Sequence, residues 1–371
     1  MKLRTIARSA FFTITIACLT ACGGNSVPAP PQPPDVYAVG FELQGNLYKA
    51  VLWKNNVLTI LDSGQYGARA FAVAVANGNV YVAGFEGSPS GNDVAVLWTN
   101  GVATTLTDGT GTGIAYGVAV SGNDVYAVGD EVTYNTSIGS YVQAAMYWKN
   151  GAPTVLNSGL PVSGNFILNA GAIAIAVDGS DVYIAGFVGA NTETAPNTYT
   201  DEPVVTYWKN GAPTSVTSGL EYAQTSGISV QNGHVYISGQ LCATFTPDCS
   251  AATLWTDGVA SSLTPNLLSA ASGVAVSGSN VYTSINVTDT TGNSAASSSN
   301  GTFTALSSTN LSAANCVVTS GSDVYVGGAE IGAGETAGLG IAAYWKNGTL
   351  NYLSGTTNTS SVYAMTVVPS S

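Results

Sequence analysis

YWKNGAPT stands at Tyr147 to Thr154 and again, letter for letter, at Tyr207 to Thr214. Shorter versions occur as Trp53-Lys54-Asn55-Asn56, Trp98-Thr99-Asn100-Gly101, Trp255-Thr256-Asp257-Gly258 and Trp345-Lys346-Asn347-Gly348. Asn-Gly and Asp-Gly between aromatic or β-branched runs are strong hairpin signals. The octamer therefore reads as a strand end, a tight turn and the start of an outer strand. Pro153 falls on that outer strand, where a missing amide donor is tolerated. Ser298-Ser299-Asn300-Gly301 keeps the turn but has no tryptophan, which predicts a weaker unit there.

A second motif alternates with the first. It appears as Asp35-Val36-Tyr37, Asn79-Val80-Tyr81, Asp124-Val125-Tyr126, Asp181-Val182-Tyr183, His234-Val235-Tyr236, Asn280-Val281-Tyr282 and Asp323-Val324-Tyr325. Its tyrosines lie 44, 45, 57, 53, 46 and 43 residues apart. Such periods mean a solenoid, a propeller or an array. Within each unit a small-residue strand such as Ala72-Val73-Ala74-Val75 precedes a turn such as Ser121-Gly122-Asn123. A Val-Tyr-x-x-Gly strand follows, then the strand ending in Trp, then a Thr- and Leu-bearing strand. No sustained helical period interrupts the pattern. The reading is all-β, a seven-bladed β-propeller of four-stranded antiparallel blades. The first unit lacks its opening strand, and Tyr363-Ala364-Met365-Thr366-Val367 matches Phe71-Ala72-Val73-Ala74-Val75. The C-terminal strand is therefore expected to complete the first blade and close the ring. The column Ala72, Gly117, Ala174, Gly227, Gly273, Cys316 and Ala364 is expected innermost, with Cys316 a small buried residue.

Spacing separates the two faces of this ring. From Trp, or Ser298, to the fourth-strand position is eight residues in every unit, whereas Tyr to Trp runs 16, 17, 22, 25, 19, 16 and 20. Length variation thus falls on one face, where binding usually lives on a rigid scaffold. Its long segments are Asp130 to Ala144, Ser158 to Ala170, Gly189 to Val204, the loop holding Cys242 and Cys249, and Glu330 to Gly340. Five residues after each tyrosine stand Glu42, Glu86, Glu131, Val188, Leu241, Val287 and Glu330. The four glutamates read either as an acidic arc for a cationic or polyhydroxylated partner or, more plainly, as solvated strand ends. Tyr134, Tyr141, Phe166, Tyr199, Tyr222 and Phe245 lie in or near the variable loops, where aromatics stack on sugar rings or simply pack.

The chain opens with Met1, Lys2, Arg4 and Arg8, followed by an apolar run from Phe11 to Leu19. This is the pattern of a secretory signal. Its exit, Leu19-Thr20-Ala21-Cys22, resembles the lipobox of bacterial lipoproteins. The resemblance implies removal of residues 1–21 and lipidation of Cys22. Gly23 in place of Asp implies the outer membrane, facing the periplasm or the outside. Residues 22–34 carry Pro28, Pro30, Pro31, Pro33 and Pro34 and read as an extended tether. Residues 35–371 then form one propeller domain. Without Lys2, Arg4 and Arg8, six basic residues face 21 acidic ones, a charge of about −15. That excludes nucleic acid as a partner. Only 8% of residues are charged, against about 25% in an average soluble domain. Cys242 and Cys249 read as a disulfide in an oxidising compartment, the alternative being two free thiols.

The repeats resemble bacterial outer-membrane lipoproteins with YWKNG-type propeller units, over Asp35 to Val368. The resemblance implies architecture and export, with the membrane reached through the N-terminal lipid. Leu254-Trp255-Thr256-Asp257 resembles a single YWTD repeat of receptor propellers. No Gly-His and Trp-Asp pairing of the WD40 kind is present.

The chemistry is sparse. His234 is the one histidine and occupies a turn-exit column otherwise holding Asp or Asn. This removes Ser-His-Asp catalysis and a histidine zinc site. No motif for a metal or cofactor is visible, so none is expected. Three functions remain. The leading expectation is a membrane-anchored, non-catalytic scaffold that binds a protein through the variable-loop face. The alternatives are a glycan-binding module and a carbohydrate-active hydrolase or lyase using carboxylates that assemble only in space.

Overall fold

The computed structural model describes residues 32–370 except 63, 138, 157–168, 196–197, 220, 243–249, 290–291, 308–310, 332–339 and 354–357, together with the side chains of 190–202. Cys22, Cys249, Phe166, Phe245 and the side chain of Tyr199 lie outside the described residues, as does most of Ser158 to Ala170. The chain divides into Met1–Pro33 and Pro34–Ser371, and every strand among the described residues lies in the second unit.

No helix occurs among the described residues, only strands. β1 (Asp35–Gln44), β2 (Leu47–Lys54) and β3 (Val57–Ile60) come first. β4 (Ala68–Ala76), β5 (Asn79–Gly87), β6 (Asp93–Thr99) and β7 (Val102–Thr105) follow. Next are β8 (Thr112–Ser121), β9 (Asp124–Asn135), β10 (Ser140–Lys149) and β11 (Ala152–Val155), then β12 (Asn169–Asp178), β13 (Asp181–Ala195), β14 (Thr198–Lys209) and β15 (Ala212–Ser215). β16 (Tyr222–Gln231), β17 (His234–Cys242), β18 (Ala251–Thr256) and β19 (Val259–Ser262) precede β20 (Ser269–Ser277), β21 (Asn280–Asp289), β22 (Gly292–Ser299) and β23 (Thr302–Ala305). The last are β24 (Ser312–Ser320), β25 (Asp323–Glu330), β26 (Ile341–Lys346), β27 (Thr349–Tyr352) and β28 (Ser360–Val368).

These strands form five four-stranded antiparallel sheets and one sheet of eight strands among the described residues. The eight-stranded sheet joins β8–β11 to β12–β15 through one parallel pair, Gln143 opposite Asn169. Seven separate sheets were expected, and this single bridge makes the difference. β28 pairs with β1, Asp35 opposite Val368 and Glu42 opposite Ser360. The first strands of successive units pack side by side: β4 touches β8, β8 touches β12, and so on through β16, β20 and β24 to β28, which touches β4.

The repeated octamer is a fastening between strands. Asn150 adopts a left-handed backbone at φ 51°, and its Oδ1 accepts from the Val125 amide at 2.8 Å. Its Nδ2 donates to Asp124 at 2.8 Å, and Lys149 Nζ reaches the other oxygen of Asp124 at 2.7 Å. Lys149 also lies over the Tyr126 ring, 5.4 Å from its centroid. The same set recurs around Asn55, Asn210 and Asn347. The Asp-Val-Tyr and Trp-Lys-Asn motifs are therefore two halves of one clamp. In β17 and β18 the clamp is reversed: the aspartate sits in the turn as Asp257, and His234 Nδ1 lies 2.7 Å from it. His234 is exposed and structural, as its column predicts.

The tryptophans glue neighbouring sheets. Trp148 is buried among Ala83, Ala95, Leu97 and Leu106 of the preceding sheet and Ala115, Val118, Ala127 and Met146 of its own. Trp53, Trp98, Trp208, Trp255 and Trp345 are equally buried. The unit predicted to be weak compensates. Ser298 stands where Trp is missing, and Ile285 is fully buried on the adjacent strand. The corresponding position in the β4–β7 sheet is Gly84, where a Cβ would lie 2.9 Å from Trp98 Cζ3. Trp with Gly in one sheet is exchanged for Ser with Ile in another.

Candidate functional site

Seven innermost strands share one irregularity. Each carries a one-residue register shift against its neighbour: at Phe71 in β4, Tyr116 in β8, Ile173 in β12, Ser226 in β16, Ser272 in β20, Asn315 in β24 and Tyr363 in β28. A bulge leaves one residue unpaired and re-aims its side chain. All seven line one cavity of about 250 Å³. Below them the expected small-residue column also lines it, Ala72, Gly117, Ala174, Gly227, Gly273, Cys316 and Ala364. Burial pushes the Cys316 thiol up to about 12, so it is inert.

The mouth of this cavity has two unlike halves. On one side Phe71 stacks on Tyr363 at 5.3 Å and meets Tyr116 at 5.5 Å. Phe41 meets Tyr363 at 5.5 Å, and Phe85 meets Phe71 at 6.0 Å. The cavity is also lined by Ser226, Ser272 and Asn315, with Asn286 donating to Ser272 Oγ at 2.8 Å and Gln240 to Gln224 at 2.8 Å. A cavity of about 360 Å³ adjoins the mouth, lined by Ile173, Phe187, Pro203 and Gln224 among others. A rigid apolar arc facing convergent amides and hydroxyls fits a ligand with one flat apolar face and several hydroxyls.

Ionisable groups gather beside the aromatic arc. Asp130 on β9 is 4% exposed, and Gln143 Nε2 donates to its Oδ2 at 2.6 Å. Burial raises the Asp130 carboxyl to about 6, the Gln143 hydrogen bond pulling the other way. Burial also raises Asp93, with Arg69 opposing. Tyr116 is raised by burial first, then by the charges of Asp130 and Asp93. Tyr363 is raised by burial, with Arg69 again opposing. Arg69, Asp93, Tyr116, Asp130 and Tyr363 therefore form one electrostatically coupled group around Phe71.

The residues singled out in sequence are placed differently. Glu42 and Glu330 are 2% and 4% exposed, so they are not solvated strand ends. Asn358 donates to Glu42 Oε1 at 2.8 Å, and Ser307 donates to Glu330 Oε1 at 2.8 Å. Glu86 is half-buried, and Glu131 is half-buried with its carboxyl raised by burial and by Asp108. Tyr134 and Tyr141 face each other across the β9–β10 hairpin, 5.2 Å apart and exposed. Tyr199 pairs with Glu193 on the β13–β14 hairpin. Tyr222 pairs with Cys242, which is buried. The column one residue earlier than the glutamates lies nearer the mouth: Phe41 and Phe85 meet the aromatic arc, Phe187, Gln240 and Asn286 line neighbouring cavities, and Asp130 shares their register. Strand alternation was the signal that separates the two. Among the described residues no three acidic, His or Cys side chains gather as a metal site.

The fold is that of a β-propeller. No known protein family matches the sequence, and no curated protein does. In structure the chain is similar to a puromycin-hydrolysing peptidase of Mycobacterium tuberculosis, with 12% identity and a TM-score of 0.50, over 78% of this chain and 47% of that one. It is also similar to the β-propeller domain of the Trilobed protease from Pyrococcus furiosus, with 9% identity and a TM-score of 0.51, over 89% of this chain and 96% of that one. The chain spans about half the length of the peptidase. These identities speak for the fold alone. The expectation of a non-catalytic scaffold with a protein partner nevertheless gives way. The similar structures are a peptidase and the propeller domain of a protease, and this chain carries a buried carboxyl, Asp130, raised by burial to about 6.

Proposed function

We propose that this chain is a carboxylate-dependent glycan-cleaving enzyme working at the mouth of this cavity. The observation that carries the reading is Asp130: a buried carboxyl, protonated up to about pH 6, beside Tyr116 on an aromatic arc. Glycosidic cleavage needs an acid that protonates the leaving oxygen and a second carboxylate that activates water. Asp130 fits the first role. Asp93 fits the second, because it acts on the same tyrosine and Arg69 helps keep it ionised. Phe71, Tyr116 and Tyr363 would stack on a sugar ring while Ser272, Asn286 and Asn315 meet its hydroxyls. The test is release of reducing ends from a panel of polysaccharides at pH 4 to 8. Activity is expected to fall as pH rises through about 6, and Asp130→Asn and Asp93→Asn are each expected to abolish it. No cleavage of any glycan, or a fully active Asp130→Asn, would sink the proposal.

The architecture proposed for this activity is a closed seven-bladed ring. Its supports are the seven clamp motifs, the side-by-side first strands and the β28–β1 pairing. Cys242 is proposed to pair with Cys249, within the same variable loop. The chain is proposed to be an outer-membrane lipoprotein of the YWKNG-repeat kind, tethered through Cys22. Labelling with a radioactive fatty acid tests this: wild type should take up label, and Cys22→Ala should take up none.

A further inference from the structure

We infer that the mouth is built for an acidic sugar, and that Arg69 receives the carboxylate of a uronic acid residue. This rests on the glycan-cleaving reading and names its substrate class. The argument begins with the cations. Lys49, Lys54, Lys149, Lys209 and Lys346 each form an ion pair with an aspartate. Arg69 forms none among the described residues. Among the described residues its guanidinium makes no hydrogen bond either; the residue is half-buried, and its Nε is buried without a partner. A guanidinium carries five N–H donors in a fixed plane. Leaving the buried Nε–H without an acceptor is costly, while the terminal N–H groups stay open to an anion that arrives.

The geometry says what arrives. Arg69 Cζ lies 4.1 Å from the centroid of Tyr48 and 5.5 Å from that of Phe41. The two ring centroids are 5.0 Å apart, so both rings lie on one side of the guanidinium. The side away from them is left for an anion, and a guanidinium edge binds a carboxylate through two parallel hydrogen bonds. Phe41 in turn touches Tyr363 of the stacking arc, so the edge lies next to where a sugar ring would rest. Asp93 influences Arg69 but stays beyond ion-pair distance. The whole chain has a net charge of −12, so an anionic substrate is repelled at long range and needs a local cation to be held. A neutral glycan would need no such group.

Titration calorimetry on the full chain tests this with three tetrasaccharides: a uronic acid oligomer, the same oligomer with its carboxyls reduced to alcohols, and a neutral oligomer carrying sulfate esters. Wild type is expected to bind the uronate about tenfold or more tighter than the reduced form, the effect of a charge-assisted pair. Arg69→Gln should abolish that preference while keeping the affinity for the reduced form. Arg69→Lys, which keeps the charge, should retain part of it. Equal affinity for uronate and reduced forms overturns the inference but leaves glycan cleavage standing. So does a preference that Arg69→Gln does not change, or tighter binding of the sulfated oligomer than of the uronate. If none of the three binds, both the inference and the reading beneath it fail.

Discussion

Replacing Asp130 by Asn should stabilise the protein at neutral pH and destroy its activity. A carboxyl moved from 3.8 to about 6 by burial costs roughly 3 kcal/mol to ionise within the fold, at about 1.36 kcal/mol for each pH unit. The folded value lies above the unfolded one. The cost is therefore absent below pH 3.8, grows between 3.8 and about 6, and is fully present above that. Asn is isosteric and uncharged, and its amide oxygen still accepts from Gln143 Nε2. Urea unfolding at pH 8 should show Asp130→Asn more stable than wild type by up to roughly 3 kcal/mol. Unfolding at pH 3.5 should show the two equal within error. An equal gain at both pH values would place the effect in packing and refute the titration argument. A loss at pH 8 would refute the burial argument as well. Groups that destabilise a fold and survive in it are the ones a reaction needs.

Four further outcomes are expected. Trp148→Ala should cost about 3–5 kcal/mol by chemical denaturation, because the ring is enclosed by two sheets that cannot collapse onto the gap. Asn150→Ala should cost about 1–2 kcal/mol, since Ala pays for the left-handed backbone and the Val125 amide loses its acceptor. Lys149→Ala should change thermal stability little, since its pair with Asp124 is exposed. Ser298→Trp alone should destabilise by about 1–3 kcal/mol through overpacking against Ile285, and Ile285→Gly in the same chain should recover part of that loss in a double-mutant cycle.

The clamp was legible in sequence because its partners are local and chemically marked. Asp124 and Asn150 bond across one pair of strands, and the left-handed turn demands Asn or Gly at its corner. The buried tryptophans were legible for the same reason. The mouth was not. Its aromatic and polar residues occupy bulge positions, and a bulge residue such as Tyr116 has no composition that sets it apart. Tracking the end of the second strand fell one residue late, on Glu131 instead of Asp130. A slip of one residue selects the opposite face of a sheet. Arg69, Asp93 and Asp130 come from β4, β6 and β9, and only the packing of neighbouring units brings their charges together. The glycine of Val-Tyr-x-x-Gly was visible, yet its reason emerges only from the pairing. A Cβ at Gly84 would lie 2.0 Å from the Arg69 carbonyl oxygen and 2.9 Å from Trp98 Cζ3.

The pairing of β28 with β1 also sets a timetable. Glu42 is held by Asn358 across 316 residues of chain. During synthesis β1 emerges first among the strands, and its neighbour is the last to be made. For that whole interval β1 presents a bare edge of alternating apolar residues, Val36, Ala38 and Gly40 against Tyr37, Val39 and Phe41. Bare edges recruit other strands, and closing so long a loop is slow. A holding factor that shields nascent β-edges in the compartment where the chain folds is therefore expected to raise the yield of native protein far more than a factor acting on the finished molecule.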